Sequence, residues 1–166
     1  MAINFIEPNK DGSALRIGIV AARFNEWACN AMLEACLNQL KALGVKDENI
    51  TVVTVPGALE IPFALYQLYE ANDLDSMVAI GCVIRGETYH FELVSNESSR
   101  GITDMISAEA ISIANCILTV ENEEQAKVRV LEKGTDAANV AVEMGNLKVR
   151  TDKQLGYWSS EQTDKE

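Results

Sequence analysis

The sequence predicts an α/β fold, a three-layer sandwich in which a four-stranded parallel sheet lies between helices. Three observations predict it. β-Branched apolar runs alternate with amphipathic segments along the chain, and each crossover spans about 25 residues, the length a right-handed strand-helix-strand connection needs. One run, Met77–Ile84, is apolar without alternation, as a central strand covered on both faces requires. The 166 residues suit one domain with a full hydrophobic core, and no linker, repeat or low-complexity stretch divides them.

Leu15–Ala22 reads as the first strand. Asn25 is expected to cap the following helix, with Glu26 in a first turn where the macrodipole favours an anion. Leu33, Leu37 and Leu40 mark the buried face of that helix, and Gly44 stands where a left-handed C-terminal cap is wanted. Ile50–Val55 is a β-branched strand ended by Pro56 and Gly57. A second helix starts near Leu59, with Pro62 tolerated only in its first turn, Ile61, Leu65 and Leu68 facing inward, and Asn72-Asp73 closing it. After the Met77–Ile84 strand, Phe91 to about Ile106 forms a weaker helix interrupted by Gly101. Ile111 to Thr119 is the fourth long strand. Asn122 with Gln125 resembles a capping box that opens a helix carrying Arg129. Beyond Gly134, Asp136 caps a final helix with Val140, Met144 and Leu147 on one side. The domain is expected to cover residues 1–150. Residues 151–166 read as a polar, acidic tail that Leu155, Tyr157 and Trp158 can tack down. Ile3 to Ile6 is expected as a short strand.

Composition narrows the function classes. A formal net charge of -11 argues against nucleic acid, whose phosphates demand a basic surface. It also repels anionic metabolites at long range, so any anion site must be local and built around arginine, since screening confines surface fields to about 8 Å at physiological salt. Met1–Pro8 lacks the basic flank and the apolar length of a signal peptide. No later segment is long enough to cross a membrane, and a cytoplasmic location is expected. The cysteines Cys29, Cys36, Cys82 and Cys116 form no CxxC pair and read as reduced packing residues. Seven helical positions put Cys29 and Cys36 about 10 Å apart, too far for a disulfide. With one histidine and no paired thiolates, no structural metal site is expected.

Ligands of such sheets bind outside the carboxyl ends of the strands. There the first strand delivers Arg23-Phe24-Asn25, the second Gly57-Ala58-Leu59-Glu60 and the third Arg85 to His90, while the helix after the fourth delivers Arg129. In the stretch from Val83 to His90 an apolar run stops abruptly, and the only histidine of the chain arrives beside an arginine, a glycine and a threonine hydroxyl. Such a loop can hold a phosphate and move a proton next to it. Neither GxGxxG nor GxxxxGK[ST] occurs, so neither a dinucleotide nor a P-loop triphosphate is indicated.

Four motifs, ARFN at 22–25, VPGALEIP at 55–62, AIGCVIRGETYHF at 79–91 and LTVENEEQA at 118–126, resemble the lumazine synthase family in order and spacing. The resemblance runs from about Ile17 to Met144. It implies flavodoxin-like winding of the sheet, with the short N-terminal strand added to a neighbouring subunit. It also implies an enzyme that condenses 5-amino-6-(D-ribitylamino)uracil with 3,4-dihydroxy-2-butanone 4-phosphate. The product is 6,7-dimethyl-8-ribityllumazine, with release of phosphate and water, the penultimate step of riboflavin biosynthesis. No cofactor is implied.

Carried over position by position, the resemblance implies that Phe24 stacks on the pyrimidine, Ala58 and Leu59 offer backbone contacts, and Glu60 holds ribityl hydroxyls. A first-turn glutamate is also common for dipole reasons alone. Cys82, Val83 and Ile84 would meet the pyrimidine through backbone groups. Arg85, Gly86, Glu87 and Thr88 correspond to the phosphate loop, with the Glu87 side chain turned away. Arg129 corresponds to a second phosphate ligand that reaches a neighbouring subunit's site. His90 corresponds to the proton-transfer residue, a role suited by imidazole's ordinary pKa of about 6.5. Two departures stand out. Asn115 replaces an aromatic of many members, where it works through its backbone or adds an amide contact. Val130–Thr135 lacks several residues of the family's Gly- and Lys-containing loop, which makes Lys133 a doubtful equivalent of the family lysine. A homopentamer with active sites between adjacent subunits is expected, with small-molecule substrates and no nucleic-acid or membrane partner. Two other readings stay open on the same scaffold: a non-catalytic lumazine- or flavin-binding protein, and a shell-forming protein.

Overall fold

The computed structural model describes residues 3–163, with side-chain surroundings for residues 3–154. Its elements run β1 (Ile17–Ala22), α1 (Glu26–Ala42), β2 (Ile50–Val55), α2 (Ile61–Ala71), β3 (Ser76–Ile84), α3 (His90–Glu109), β4 (Ile113–Val120), α4 (Glu123–Lys127) and α5 (Val130–Thr163), with 3-10 turns at Asp47–Asn49 and Ala58–Glu60. All four strands are parallel, in the order β2-β1-β3-β4. Ile19 of β1 lies between Val52 of β2 and Val78 of β3.

Burial explains why the inner strands are the most apolar. Ile17, Ile19 and Val20 of β1 and Met77, Val78, Ala79 and Ile80 of β3 are wholly shielded, because helices cover both faces: α1 pairs with α5 on one side and α2 with α3 on the other. The outer strands need less shielding. β2 exposes Thr51, Val52 and Thr54, and β4 exposes Asn115 and Thr119. The regular second strand begins and ends where expected, while β1 starts two residues later than Leu15 and β4 two later than Ile111.

Several local readings hold in detail. Gly44 has φ +91°, and the amide of Val45 reaches back to the Leu40 carbonyl (3.0 Å), closing α1 in the way a glycine after the last turn permits. Pro62 sits in the first turn of α2, where its missing N–H has no partner to lose. Asn122 accepts from the Gln125 amide (2.9 Å), while Gln125 Oε1 accepts from the Glu121 amide (2.8 Å), so α4 begins with a reciprocal cap.

Others differ, mostly because helix packing outweighs local propensity. The buried stripe of α1 is Ala28, Cys29, Met32, Cys36 and Leu40; Leu33 and Leu37 lie on its flank, half-buried. Small side chains face inward because α1 must approach both the sheet and α5. Gly101 does not interrupt α3. A Cβ there would come within 2.6 Å of Pro62 Cγ, so the glycine is the point at which α3 crosses α2. Nor does α5 wait for Asp136. It begins at Val130 and runs through Gly134, where a Cβ would stand 2.3 Å from the Met32 carbonyl oxygen of α1. Its inward face is Ala137, Ala138, Ala141 and Val142, whereas Val140 and Leu147 are exposed and Met144 is half-buried. Arg129 is carried by the turn between α4 and α5 and not by a helix.

At the ends of the chain, Ile3 to Ile6 is exposed and forms no strand within this single copy. Asn146 of α5 secures the segment that follows by donating to the carbonyls of Asn9 and Asp11 (both 2.9 Å). The α5 helix continues past Arg150 into the residues read as a tail, with Lys148 and Asp152 paired at 2.7 Å. Leu155, Tyr157 and Trp158 lie outside the residues whose side chains are described.

Candidate active site

The carboxyl ends of β1, β2 and β3 open onto a cavity of about 430 Å³, within the range of small-molecule sites. Its first wall comes from the exit of β1. The Arg23 and Phe24 amides continue the sheet pairing, donating to the carbonyls of Val55 (2.8 Å) and Pro56 (3.0 Å). That pins the Phe24 backbone while the residue stays 71% exposed, an apolar side chain left open at the cavity. Asn25 then adopts φ 57°, a left-handed conformation that asparagine tolerates better than most residues. Its side chain makes no helix cap. It donates instead to the Cys82 carbonyl (2.8 Å), which ties the end of β1 to the end of β3 across the cavity floor.

The second wall is the turn after β2. Gly57 is extended, and the Glu60 amide bonds back to its carbonyl (3.2 Å), folding Ala58, Leu59 and Glu60 into one 3-10 turn that lines the cavity. Ala58 is buried, while Leu59 and Glu60 are open to the cavity mouth. Cys82, Val83 and Ile84 form the floor. Burial pushes the Cys82 thiol up to about 11, which leaves it a neutral, apolar surface at physiological pH.

The third wall is the loop after β3 and the start of α3. Gly86, Thr88 and His90 line the cavity, followed by Phe91 and Val94 on the same helical face. His90 is the first residue of a 20-residue helix, so the positive end of the macrodipole lies at this end of the cavity. Its backbone amide is 3.4 Å from Thr88 Oγ1. A carboxylate, an aromatic residue, an imidazole and a helix N-terminus thus border one space.

Five residues that the sequence points to do not line this cavity, among them Arg23, which donates instead to Thr54 Oγ1 (3.0 Å). Glu87 is a second. Arg85 is a third: its guanidinium is engaged by Glu92 and by Glu121 (2.5 Å to Glu121 Oε2) and lies over the Phe91 ring at 4.3 Å. The hydrogen bond from Arg85 holds the Glu92 carboxyl below its ordinary value. Asn115 lies exposed on the outer strand, with Oδ1 accepting from the Ile117 amide (3.0 Å) and Nδ2 3.5 Å from Ser99 Oγ. Arg129 is exposed too, donating to the Gln125 carbonyl (2.9 Å). Asn25, which the sequence places at the end of the first strand, lines the cavity, as do Phe91 and Val94, to which sequence reasoning assigns no part in the site. The 90-91-94 spacing is a usable signal, because those positions share one face of a helix. For Asn25 the sequence gives its place at the strand end but not its contact, which depends on a left-handed backbone and on a carbonyl 57 residues away.

The family model described as 6,7-dimethyl-8-ribityllumazine synthase matches residues 14–149, which include every wall of this cavity. The chain is 57% identical to the 6,7-dimethyl-8-ribityllumazine synthases of Paraburkholderia phytofirmans and Paraburkholderia xenovorans, over 94% of its length and 92% of theirs. It is 56% identical to the enzyme of the same name from Burkholderia multivorans, over 94% of its length and 90% of that protein. The order of strands, the cavity at their carboxyl ends and this similarity agree: the chain belongs to the 6,7-dimethyl-8-ribityllumazine synthase family.

Proposed function

We propose that this chain is a lumazine synthase, condensing 5-amino-6-(D-ribitylamino)uracil with 3,4-dihydroxy-2-butanone 4-phosphate to 6,7-dimethyl-8-ribityllumazine. The observation that carries the reading is the convergence of Phe24, Glu60 and His90, from three different strand ends, on one cavity in a chain of this family. Phe24 stacks on the pyrimidine, and the floor from Cys82 to Ile84 meets its amide-like edge. Ala58, Leu59 and Glu60 receive the ribityl chain, whose hydroxyls suit a carboxylate acceptor.

The 5-amino group attacks the ketone to give an imine, phosphate leaves by elimination, and the ribityl-bearing nitrogen closes the ring with loss of water. These steps need proximity and proton transfer more than a strong nucleophile. His90 moves the protons. The phosphate is held by the Gly86, Glu87 and Thr88 segment at the start of α3, where amides and the helix dipole favour an anion. Asn115 and Arg129 act from a neighbouring copy, because neither reaches the cavity of its own chain.

The assembly that follows is a homopentamer with sites between adjacent copies. Val128 (74% exposed) and Leu131 (67%) flank Arg129 with an apolar surface that water disfavours, and exposed Ile3 and Phe5 are available to pair with a neighbour's sheet. No helix among the described residues is long and apolar enough to cross a membrane, and a cytoplasmic location fits the substrates.

The test is to mix the purified protein with both substrates and follow lumazine absorbance against the uncatalysed background. Saturable acceleration is the expected result. Absence of acceleration with retained binding of the lumazine would make the chain a ligand-binding protein on this scaffold.

A further inference from the structure

Beside the cavity, Arg85 is held in a clamp of charged groups. The residue ends β3's pairing with β4, its amide donating to the Val120 carbonyl (2.9 Å). From there its guanidinium joins two carboxylates, Glu92 in the first turn of α3 and Glu121 directly after β4. The cation is already countered by two anions and does not line the cavity, and one face of it is covered by Phe91, which does. Planar forks of this kind fix geometry, because each N–H must meet its own acceptor.

The contacts beyond the clamp lead to both anion-binding elements. On one side, Glu92 lies two residues after His90, and its amide bonds the Tyr89 carbonyl (3.1 Å), so the Gly86–Tyr89 loop is strung between two points that Arg85 holds. On the other side, the Glu121 amide is received by Gln125 Oε1 (2.8 Å), and the Gln125 carbonyl receives Arg129 Nη1 (2.9 Å).

We infer that Arg85 is a positioning residue: with Glu92 and Glu121 it sets the phosphate loop and His90 of its own site, and, through Gln125, the orientation of Arg129. It does not contact the phosphate itself. The inference deepens the synthase reading and rests on it for the identity of the anion.

A double-mutant cycle on the intact assembly tests it, using R85M, E121Q and the pair. The readouts are KM for the butanone phosphate, KM for the pyrimidine, and binding of inorganic phosphate by calorimetry. If Arg85 positions, R85M and E121Q each raise the phosphate-substrate KM and weaken inorganic phosphate by about tenfold, the pair is no worse than either single variant, and the pyrimidine KM stays within about twofold. R85K, which cannot span both carboxylates, recovers little. If Arg85 were instead a phosphate ligand, E121Q would release its charge and leave phosphate binding unchanged or tighter while R85M weakened it. That result overturns the inference, as does indifference of phosphate binding to both variants. Should R85M fail to fold, E121Q and R85K carry the same discrimination. If the wild-type protein forms no lumazine, the synthase reading falls, and the phosphate titration still decides the clamp.

Discussion

His90 stands at the first position of α3, lines the cavity and has no salt-bridge partner among the described residues. A group placed only to transfer protons contributes to rate more than to affinity. His90→Ala is therefore expected to lower kcat by about 10²-fold or more, with pyrimidine binding by fluorescence titration nearly unchanged. The thiols make a different residue-scale prediction. Burial is the leading cause that pushes Cys29, Cys36 and Cys116 from 9.0 to about 12 and Cys82 to about 11. A raised thiol pKa means that the native state keeps protons that the unfolded chain has begun to lose. This stabilisation is complete below about pH 9 and disappears as pH climbs through 11 to 12. The urea midpoint should accordingly fall above pH 9, and at pH 8 a thiol reagent should modify Cys29, Cys36 and Cys116, which do not line the cavity, only as fast as the chain unfolds. The histidine is legible in the sequence because its neighbours already suggest a loop at a strand end. The clamped state of Arg85 is not, since Glu121 lies 36 residues away and pairs with it only once β3 and β4 lie side by side.

At the scale of the elements, close helix contacts decide what the sequence leaves ambiguous. Gly134 reads as a helix boundary and is a crossing point of α5 over α1; Gly101 plays the same part between α3 and α2. Alanine is the better helix former by about 1 kcal/mol, but at residue 134 its methyl would meet a backbone oxygen at 2.3 Å that cannot withdraw without moving α1. The overpacking wins, and Gly134→Ala is expected to lose about 2 kcal/mol in urea denaturation. A methyl added at Gly86 would meet nothing within 4 Å, so Gly86→Ala should stay within about 0.5 kcal/mol of the parent. Strands are more legible than helix faces. A strand buried on both sides must be apolar throughout, as Ser76–Ile84 nearly is, whereas a helix that contacts both sheet and helix exchanges leucine for alanine, cysteine and glycine and loses its obvious stripe.

For the whole molecule, the cavity is incomplete in cation. Phosphate would find amides and a helix N-terminus, but both candidate arginines lie outside the cavity of their own chain, Arg85 in its clamp and Arg129 on an exposed turn. A site finished by a neighbouring copy resolves this without opposing the net charge of -11 over long distances. Two measurements check it. Light scattering should return a stable oligomer with the mass of five chains or a multiple of five, and specific activity should fall on dilution below the assembly constant in step with the loss of that species. A stable monomer with full activity would overturn the shared site. Mixing inactive His90→Ala with inactive Arg129→Ala chains should restore part of the activity, because some interfaces then combine an intact His90 with an intact Arg129.

By itself the sequence determined the strand-helix alternation, the parallel sheet, the strand ends at which ligand groups gather, and the resemblance carried by its four motifs. Those features depend on local patterning and on residue chemistry at fixed spacing, which a chain carries wherever it is. Only the tertiary structure decided that Asn25 bridges to Cys82, that Gly134 and Gly101 are crossing points, and that Arg85 is held between two carboxylates while Arg129 stays outside the cavity of its own chain. Each of these depends on which distant atoms come within hydrogen-bond or van der Waals range after packing, and neither spacing nor composition records that distance.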